Sequence, residues 1–333
     1  MNFVPSYLKL ISSSEFESRI SAADAILKNC TSCPRNCYVD RTNGELGTCQ
    51  SGDQPIVSSY TPHFGEEPVL SGTKGAGNIF FGNCNLRCDY CQNFVISQNP
   101  NAESKNQTSV ERLAGIMIEL QNKSCHNIGL VSPTHFAVPI LKAIYLAVKQ
   151  GLNLPIIYNT NGYDSVEVLK LYKDVVDIYL PDFKYGTDEN GRRYSKAPDY
   201  FEKTKAAIAE MYNQVGSELV YKDGVVVRGL IIRHLVLPND LSESEKVFKF
   251  ISSLDPKIHV SLMSQYFPIN RASKNILLNR CISQTEYYRA VELLNKYGLE
   301  NGWMQEIESN DFYRPFFDED RIDPFKNEIL IKQ

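Results

Sequence analysis

Apolar positions along the chain change their rhythm near residue 75. Before that point one amphipathic stretch stands out. Phe16, Ile20, Ala23 and Leu27 recur at helical spacing behind a Ser14-x-x-Glu17 capping-box pattern, which predicts a helix over residues 14 to 28. From Cys30 to about Lys74 the periodicity fades into a region rich in Gly, Pro, Thr and Asp, the texture of a small loop-rich module that needs a staple. After Gly75, apolar runs alternate with helical segments. The runs are GNIFFGN (77 to 83), NIGLVS (127 to 132), PIIYNT (155 to 160), VVDIYLPDF (175 to 183), VVVRGLIIRHLVL (225 to 237) and HVSLMSQY (259 to 266), which gives six strand candidates.

Helix signals fill the gaps between them. Thr108-x-x-Glu111 precedes Val110, Leu113, Met117 and Leu120; Asp164 or Ser165 opens another helix; PDYFEKTKAAIAEMYNQVG closes at Gly216; Ser242-x-x-Glu245 opens one more; Ser283 with Glu286 starts a helix to Tyr297. Repeated strand and helix, with near-continuous apolar strands, predict an α/β fold whose parallel sheet is covered by helices. Six βα units are too few to close an eight-stranded barrel, so an open, partial barrel and a doubly wound sheet are the two options. In both, ligands gather at the carboxyl ends of the strands. The expected organisation is an N-terminal helix and Cys-rich module (1–74), the α/β unit (75–298) and a C-terminal covering segment (299–333) that carries the acidic, aromatic NDFYRPFFDED.

Composition narrows the partners. The chain has 333 residues, 43% of them hydrophobic, which is ample for a full core. Lys and Arg number 35 against 39 Asp and Glu, a net charge of −4, so no broad basic field exists to attract nucleic acid. The N-terminus has no apolar signal-like region, and nowhere do about 18 apolar residues run together, so a cytoplasmic protein without a membrane partner is expected. Of nine cysteines, seven lie between Cys30 and Cys91, leaving Cys125 and Cys281 outside. In a reducing compartment that clustering points to metal rather than to disulfides.

Three of those cysteines sit in FFGNCNLRCDYCQN as Cys84-x-x-x-Cys88-x-x-Cys91, directly after the first apolar run. Iron–sulfur clusters are usually held by four thiolates, so a loop that offers three leaves one iron open to an exogenous ligand. The plainer readings are a structural zinc or closed cluster completed by Cys125 or a histidine, or buried thiols. The other group, Cys30-x-x-Cys33-x-x-x-Cys37 followed by Cys49, offers enough thiolates to close a site. Its spacing fits neither a zinc ribbon nor the bacterial ferredoxin run, and zinc and a second iron–sulfur cluster both stay open.

With Tyr90 directly before the last cysteine, the loop resembles that of the radical S-adenosylmethionine (radical SAM) superfamily. CPRNCYVDRTNGELGTC, HFGEEPVLSG, IFFGNCNLRCDYCQNFVISQ, SPTHF, YNTNGY, VDIYLPDFKY, RHLVLP and LMSQY together resemble the PflX group, proteins labelled as related to the pyruvate formate-lyase activating enzyme. The resemblance runs from about Cys30 to beyond Gly298. It implies a partial (β/α)6 TIM-like barrel in which Cys84, Cys88 and Cys91 hold a [4Fe-4S] cluster whose fourth iron is chelated by SAM. It also implies a one-electron donor such as flavodoxin or ferredoxin, reductive cleavage of SAM to a 5′-deoxyadenosyl radical, and hydrogen abstraction from a substrate. For an activating enzyme that substrate is a glycine of a glycyl-radical protein. A radical SAM enzyme acting on a small molecule or RNA is the alternative, and a non-catalytic metal-binding scaffold is a third reading.

The same resemblance assigns roles to residues at the strand ends. Ser132 to His135 stand where many members carry a Gly-Gly-Glu turn that contacts the methionine amine, which leaves Thr134 or His135 as substitutes. A helix N-cap explains Thr134 equally well, and core packing explains His135. Asn159-Thr160-Asn161-Gly162 resembles the activating enzymes' Asp-Thr-Asn-Gly turn with the first aspartate replaced, and Asp182-x-Lys184 resembles their Asp-x-Lys. In those enzymes the acidic groups help to bind a monovalent cation and the lysine meets the SAM carboxylate; a salt bridge between Asp182 and Lys184 is the simpler reading. Arg233 stands near an arginine that reaches SAM, and a structural ion pair explains it almost as well. Tyr90 is expected near the adenine, with Gln265, Tyr266, Glu66 and Glu67 lining the pocket.

Overall fold

All six apolar runs fold into strands of one mixed sheet. The computed structural model of the chain describes residues 3–307, 309 and 315–325. Its strands are β1 (Val57–His63), β2 (Ala76–Phe81), β3 (Ile128–Val131), β4 (Ile156–Thr160), β5 (Ile178–Pro181), β6 (Val220–Lys222), β7 (Val225–Leu235), β8 (His259–Met263) and β9 (Gly302–Met304). They lie in the order β1-β2-β3-β4-β5-β7-β8-β9, with β6 attached to β7. Every ladder from β2 to β9 along that path is parallel, while β1 and β6 pair antiparallel with β2 and β7. Among the described residues the sheet does not close on itself: β1 and β9 are its two ends.

Parallel neighbours require crossovers, and the helices supply them. Val110–Asn122 joins β2 to β3, Ala137–Lys149 joins β3 to β4, Val166–Leu171 joins β4 to β5, Tyr200–Val215 leads towards β6 and β7, Ser244–Leu254 joins β7 to β8, and Gln284–Lys296 leads to β9. Buried under them, β2, β3, β4 and β5 expose no residue, which is why their sequences read as apolar runs instead of alternating. The N-terminal helix Glu15–Lys28 buries Phe16, Ala23 and Leu27, the stripe its spacing predicts. Among the described residues no helix is long and apolar enough to cross a membrane.

The caps differ in detail from the sequence patterns. Ser14 precedes its helix with a backbone that is already turned (φ −72°, ψ 3°), and its side chain makes no cap. Thr108 is tied to β1's approach through its N–H to the Pro55 carbonyl (2.9 Å), so the cap falls to Ser109, whose hydroxyl accepts from Arg112 N at 3.1 Å. Ser242 turns back to accept from Leu237 N (3.4 Å), leaving Glu243 (φ 49°) ahead of the helix at Ser244. Ser283 and Glu286 do form the reciprocal capping box.

Glu286 carries more than its cap. Its carboxylate accepts from Arg280 (2.7 Å), the Ser283 N–H (2.8 Å) and the Asn239 N–H (2.6 Å). The Arg280 hydrogen bond, which outweighs partial burial and is reinforced by the backbone donors, holds the carboxyl down from 4.5 to about 2. A depressed carboxyl stabilises the fold above its unfolded value and loses that contribution as pH falls. The Glu286→Gln variant is therefore expected to be less stable than the parent at pH 7, with the gap closing between about 4.5 and 2, measured by urea unfolding at a series of pH values.

Candidate functional site

The three-cysteine loop leaves β2 through Gly82, where a Cβ would stand 2.5 Å from the Ile56 side chain and 2.9 Å from Glu103, so only glycine lets the chain pass. Distant segments then pin the loop. Arg87 and Asp89 donate their N–H groups to the Ser195 and Tyr194 carbonyls (3.0 and 2.8 Å), Arg271 grips the Asp89 carboxylate (2.8 Å), Arg35 donates to the Asn85 carbonyl (3.0 Å), and Gln98 donates to the Cys88 carbonyl (2.9 Å). The thiols have polar company of their own. Cys84 Sγ accepts from Asn161 Nδ2 and from the Leu86 N–H, both at 3.4 Å; Ser195 Oγ lies 2.9 Å from Cys88 Sγ, and Ser97 Oγ 3.2 Å from Cys91 Sγ.

Burial pushes all three thiols up, Cys91 to about 12, where the neighbouring Cys88 sulfur adds to the effect. Such groups stay protonated at neutral pH unless a cation takes the proton's place, which is what a metal ligand does. All three line a single cavity of about 230 Å³. Among the described residues no three His, Cys, Asp or Glu side chains draw together as they would around one metal ion. A cluster asks for something else, since each thiolate meets its own iron and the ligands spread around the core. The trio and the cavity beside it fit a cluster with one iron left open.

The opposite wall of the cavity is a buried network of charges. Arg233, on β7, donates from Nε to Asp182 (2.8 Å), from Nη1 to Glu66 (3.2 Å) and from Nη2 to Asn159 (2.6 Å). Lys184 Nζ completes the hub with a 2.6 Å contact to the other Asp182 oxygen. Burial pushes the Asp182 carboxyl up, but Arg233 and then Lys184 outweigh it and hold the group below the ordinary carboxylate range. For Lys184 burial pulls down, and Asp182 with the Cys88 sulfur outweighs it. Glu66 also accepts from Asn78 (2.9 Å) and Asn159 (3.1 Å). Asp182, Lys184 and Arg233 form the ion pairs of the simpler reading, and all three line the cavity.

Asn159, Asn161, Tyr90, Gln265 and Glu66 line the same cavity, as do His63 and Ser132. Tyr90's ring packs edge-on against Tyr185 and Tyr266, so it is a core residue with one side on the cavity. Glu67 and Tyr266 are buried outside the cavity lining. Thr134 turns the other way, to Asp164 (2.7 Å) and Thr160 (3.1 Å), where Asp164 is a buried carboxyl satisfied by hydroxyls. His135 contacts the Gly82 carbonyl through Nε2 (2.9 Å) and lines a separate, small cavity formed by Cys30, Cys33, Cys37 and Cys49. Burial pulls its pKa down to about 3. Residues 310–314 of NDFYRPFFDED lie outside the described residues; beyond them Phe317 packs edge-on and Phe325 at a tilt against Phe80, and Pro315 and Phe325 line the main cavity.

Ser195, Ser97 and Asn85 are the partners that sequence reasoning missed. Ser195 meets Cys88 across 107 residues, and no local pattern announces such a pair. For Asn85 a signal existed: an amide inside the cysteine loop, answered by the amide of Asn161 at 2.8 Å.

The family model of the radical SAM superfamily matches residues 78–251, the stretch from β2 through the helix before β8. An uncharacterised protein of Methanocaldococcus jannaschii is 34% identical over 316 residues, covering 90% of this chain and 84% of the relative. The family model's match contains the three-cysteine loop.

Proposed function

The chain belongs to the radical SAM superfamily, and on that premise we propose that it is an enzyme that cleaves SAM reductively at the three-cysteine loop. The observation that carries this reading is the convergence of Cys84, Cys88 and Cys91 with Asp182, Lys184 and Asn161 on one cavity. Bound to the three cysteines, a [4Fe-4S] cluster supplies the open iron and the electron that split SAM into methionine and a 5′-deoxyadenosyl radical. The chain's own residues have the remaining work. Lys184 offers an ammonium to the SAM carboxylate, with Asp182 fixing its direction. Arg233 holds Asn159 and Glu66 in place along the wall. Tyr90 presents an apolar face beside the cysteines, and Phe80 with Phe325 shields the other side from water.

Six strand ends meeting on one cavity support a partial (β/α)6 barrel as the catalytic unit (75–298), with the Cys-rich module (1–74) and the covering segment (299–333) added to it. A glycyl-radical protein is the substrate class we favour, on the likeness of Asn-Thr-Asn-Gly and Asp-x-Lys to the activating enzymes' motifs; flavodoxin or ferredoxin would supply the electron. The test is anaerobic reconstitution with iron and sulfide, followed by reductant and SAM, with 5′-deoxyadenosine measured by chromatography. Product above the cluster-free control is expected. An intact cluster that yields none would overturn the enzyme reading. Mixing with candidate glycyl-radical proteins should then give an organic radical signal, and its absence across them would leave SAM cleavage standing while removing that substrate class.

A further inference from the structure

Arg41 is among the largest fully buried side chains, 1% exposed, and no carboxylate pairs with it among the described residues. Its donors go to the Gly52 and His135 carbonyls (2.9 and 2.6 Å) and towards Cys30 Sγ at 4.0 Å. A guanidinium cannot shed its charge, and a buried cation without a counter-ion is costly. Arg35 stands on the same cavity, its Nη2 buried with no hydrogen-bond partner. His135 forms another part of the wall, and its Nδ1 is equally unpartnered. Cys30, Cys33, Cys37 and Cys49 share that cavity with them. Two cations therefore border four thiols, and among the described residues Arg35 and Arg41 lie over the Tyr163 and Phe136 rings (5.5 and 5.8 Å) with no carboxylate paired to either.

We propose that Cys30, Cys33, Cys37 and Cys49 hold a tetrathiolate iron–sulfur cluster whose negative charge Arg35 and Arg41 balance. These thiols do not draw together around one ion as zinc requires, whereas a cluster spreads its ligands; an oxidised [4Fe-4S] core brings two positive charges, so four thiolates leave it with a double negative charge, one for each arginine. The hydrogen bonding agrees, since the Thr48 N–H already points at Cys37 Sγ (3.4 Å). Gly47 fits the same purpose: a Cβ there would come within 2.8 Å of Cys37 Sγ and push the thiol aside. The centre also has a mechanical role. Arg35 holds Asn85, His135 holds Gly82, Arg87 reaches the Thr48 carbonyl (2.8 Å) and Asn83 the Gln50 carbonyl (2.9 Å), so the module grips the three-cysteine loop from Gly82 to Arg87. None of this depends on the chemistry proposed for that loop.

The test removes the first site and asks what metal stays. The Cys84→Ala, Cys88→Ala, Cys91→Ala triple variant is purified anaerobically and analysed by elemental analysis and acid-labile sulfide, before and after reconstitution with iron and sulfide. Retention of about four irons with sulfide supports the cluster, and adding Cys33→Ser should remove them; retention of zinc without sulfide overturns it. A metal-free protein after both treatments overturns it. Should the triple variant not fold, the parent protein answers by alkylation and peptide mapping: Cys30, Cys33, Cys37 and Cys49 should resist the reagent until a chelator is added in mild acid. Alkylation of all four without a chelator overturns the proposal as surely. Arg41→Met, which keeps the packing but removes the charge, should lower metal retention at least several-fold, whereas a purely structural arginine would leave the metal content unchanged.

Discussion

Replacing Cys88 by alanine should abolish both the iron bound at the three-cysteine loop and the formation of 5′-deoxyadenosine, while leaving the fold intact. The expected activity loss is on the order of a thousand-fold or more, the scale seen when one member of a catalytic unit is removed. The fold should survive because Cys88's partner is not stranded. Ser195 Oγ keeps its 2.7 Å contact with the Tyr185 hydroxyl, and the cavity left by one sulfur costs about 1 kcal/mol. Cys125→Ala is the control. Cys125 is buried but lies outside the cavity, so its loss should change neither iron content nor product. If Cys88→Ala retained the full iron complement of this loop, the assignment of ligands would fail. Iron counts, low-temperature spectra and product chromatography read the outcome together.

A second large effect is expected at Asp182. The Asp182→Asn variant keeps the shape but leaves Arg233 and Lys184 facing each other across the cavity wall without their shared anion. Both side chains are largely buried, so the loss of the common partner should cost about 3–5 kcal/mol of stability at neutral pH. Binding should respond in a direction that distinguishes the two roles of the network. With Asp182 gone, Lys184 loses its fixed position and SAM binding should weaken at least tenfold, measured by equilibrium dialysis with the reconstituted protein. Glu66→Gln, on the far side of Arg233, should lower stability less, since Arg233 keeps Asp182 and Asn159. Equal stability losses in the two variants would argue that Asp182 is not the centre of the hub.

The parts of the fold that were legible are those where burial leaves a mark on composition. β2 to β5 are enclosed on both faces, so their residues had to be apolar and their runs could be read directly. β1 escaped notice because VSSYTPH carries hydroxyls and a proline in a region otherwise built of loops, and its strand character comes from pairing with β2 across the sheet edge. β9 has three residues, too few for any period to show. The site divides in the same way. Spacing revealed the three cysteines, and strand-end position led to Asn161, Asp182 and Lys184. Neither could reveal that Arg233 joins Glu66 to Asp182, because that hub draws on residues 167 apart in sequence. Position after β3 also says nothing of direction, and there the local turn carries Thr134 to Asp164 and His135 towards the N-terminal cysteines.

The clamps on the three-cysteine loop have a consequence for how the protein is made. Arg271 holds Asp89 from 182 residues further along the chain, and Ser195 meets Cys88 from 107 residues away. A ribosome adding about 5–20 residues each second needs roughly 10–40 s to travel from one end of the first contact to the other. For all that time the cysteines have emerged without the groups that set their positions. A cluster held by these cysteines, as proposed above, would accordingly be built on a nearly completed chain rather than on a nascent one.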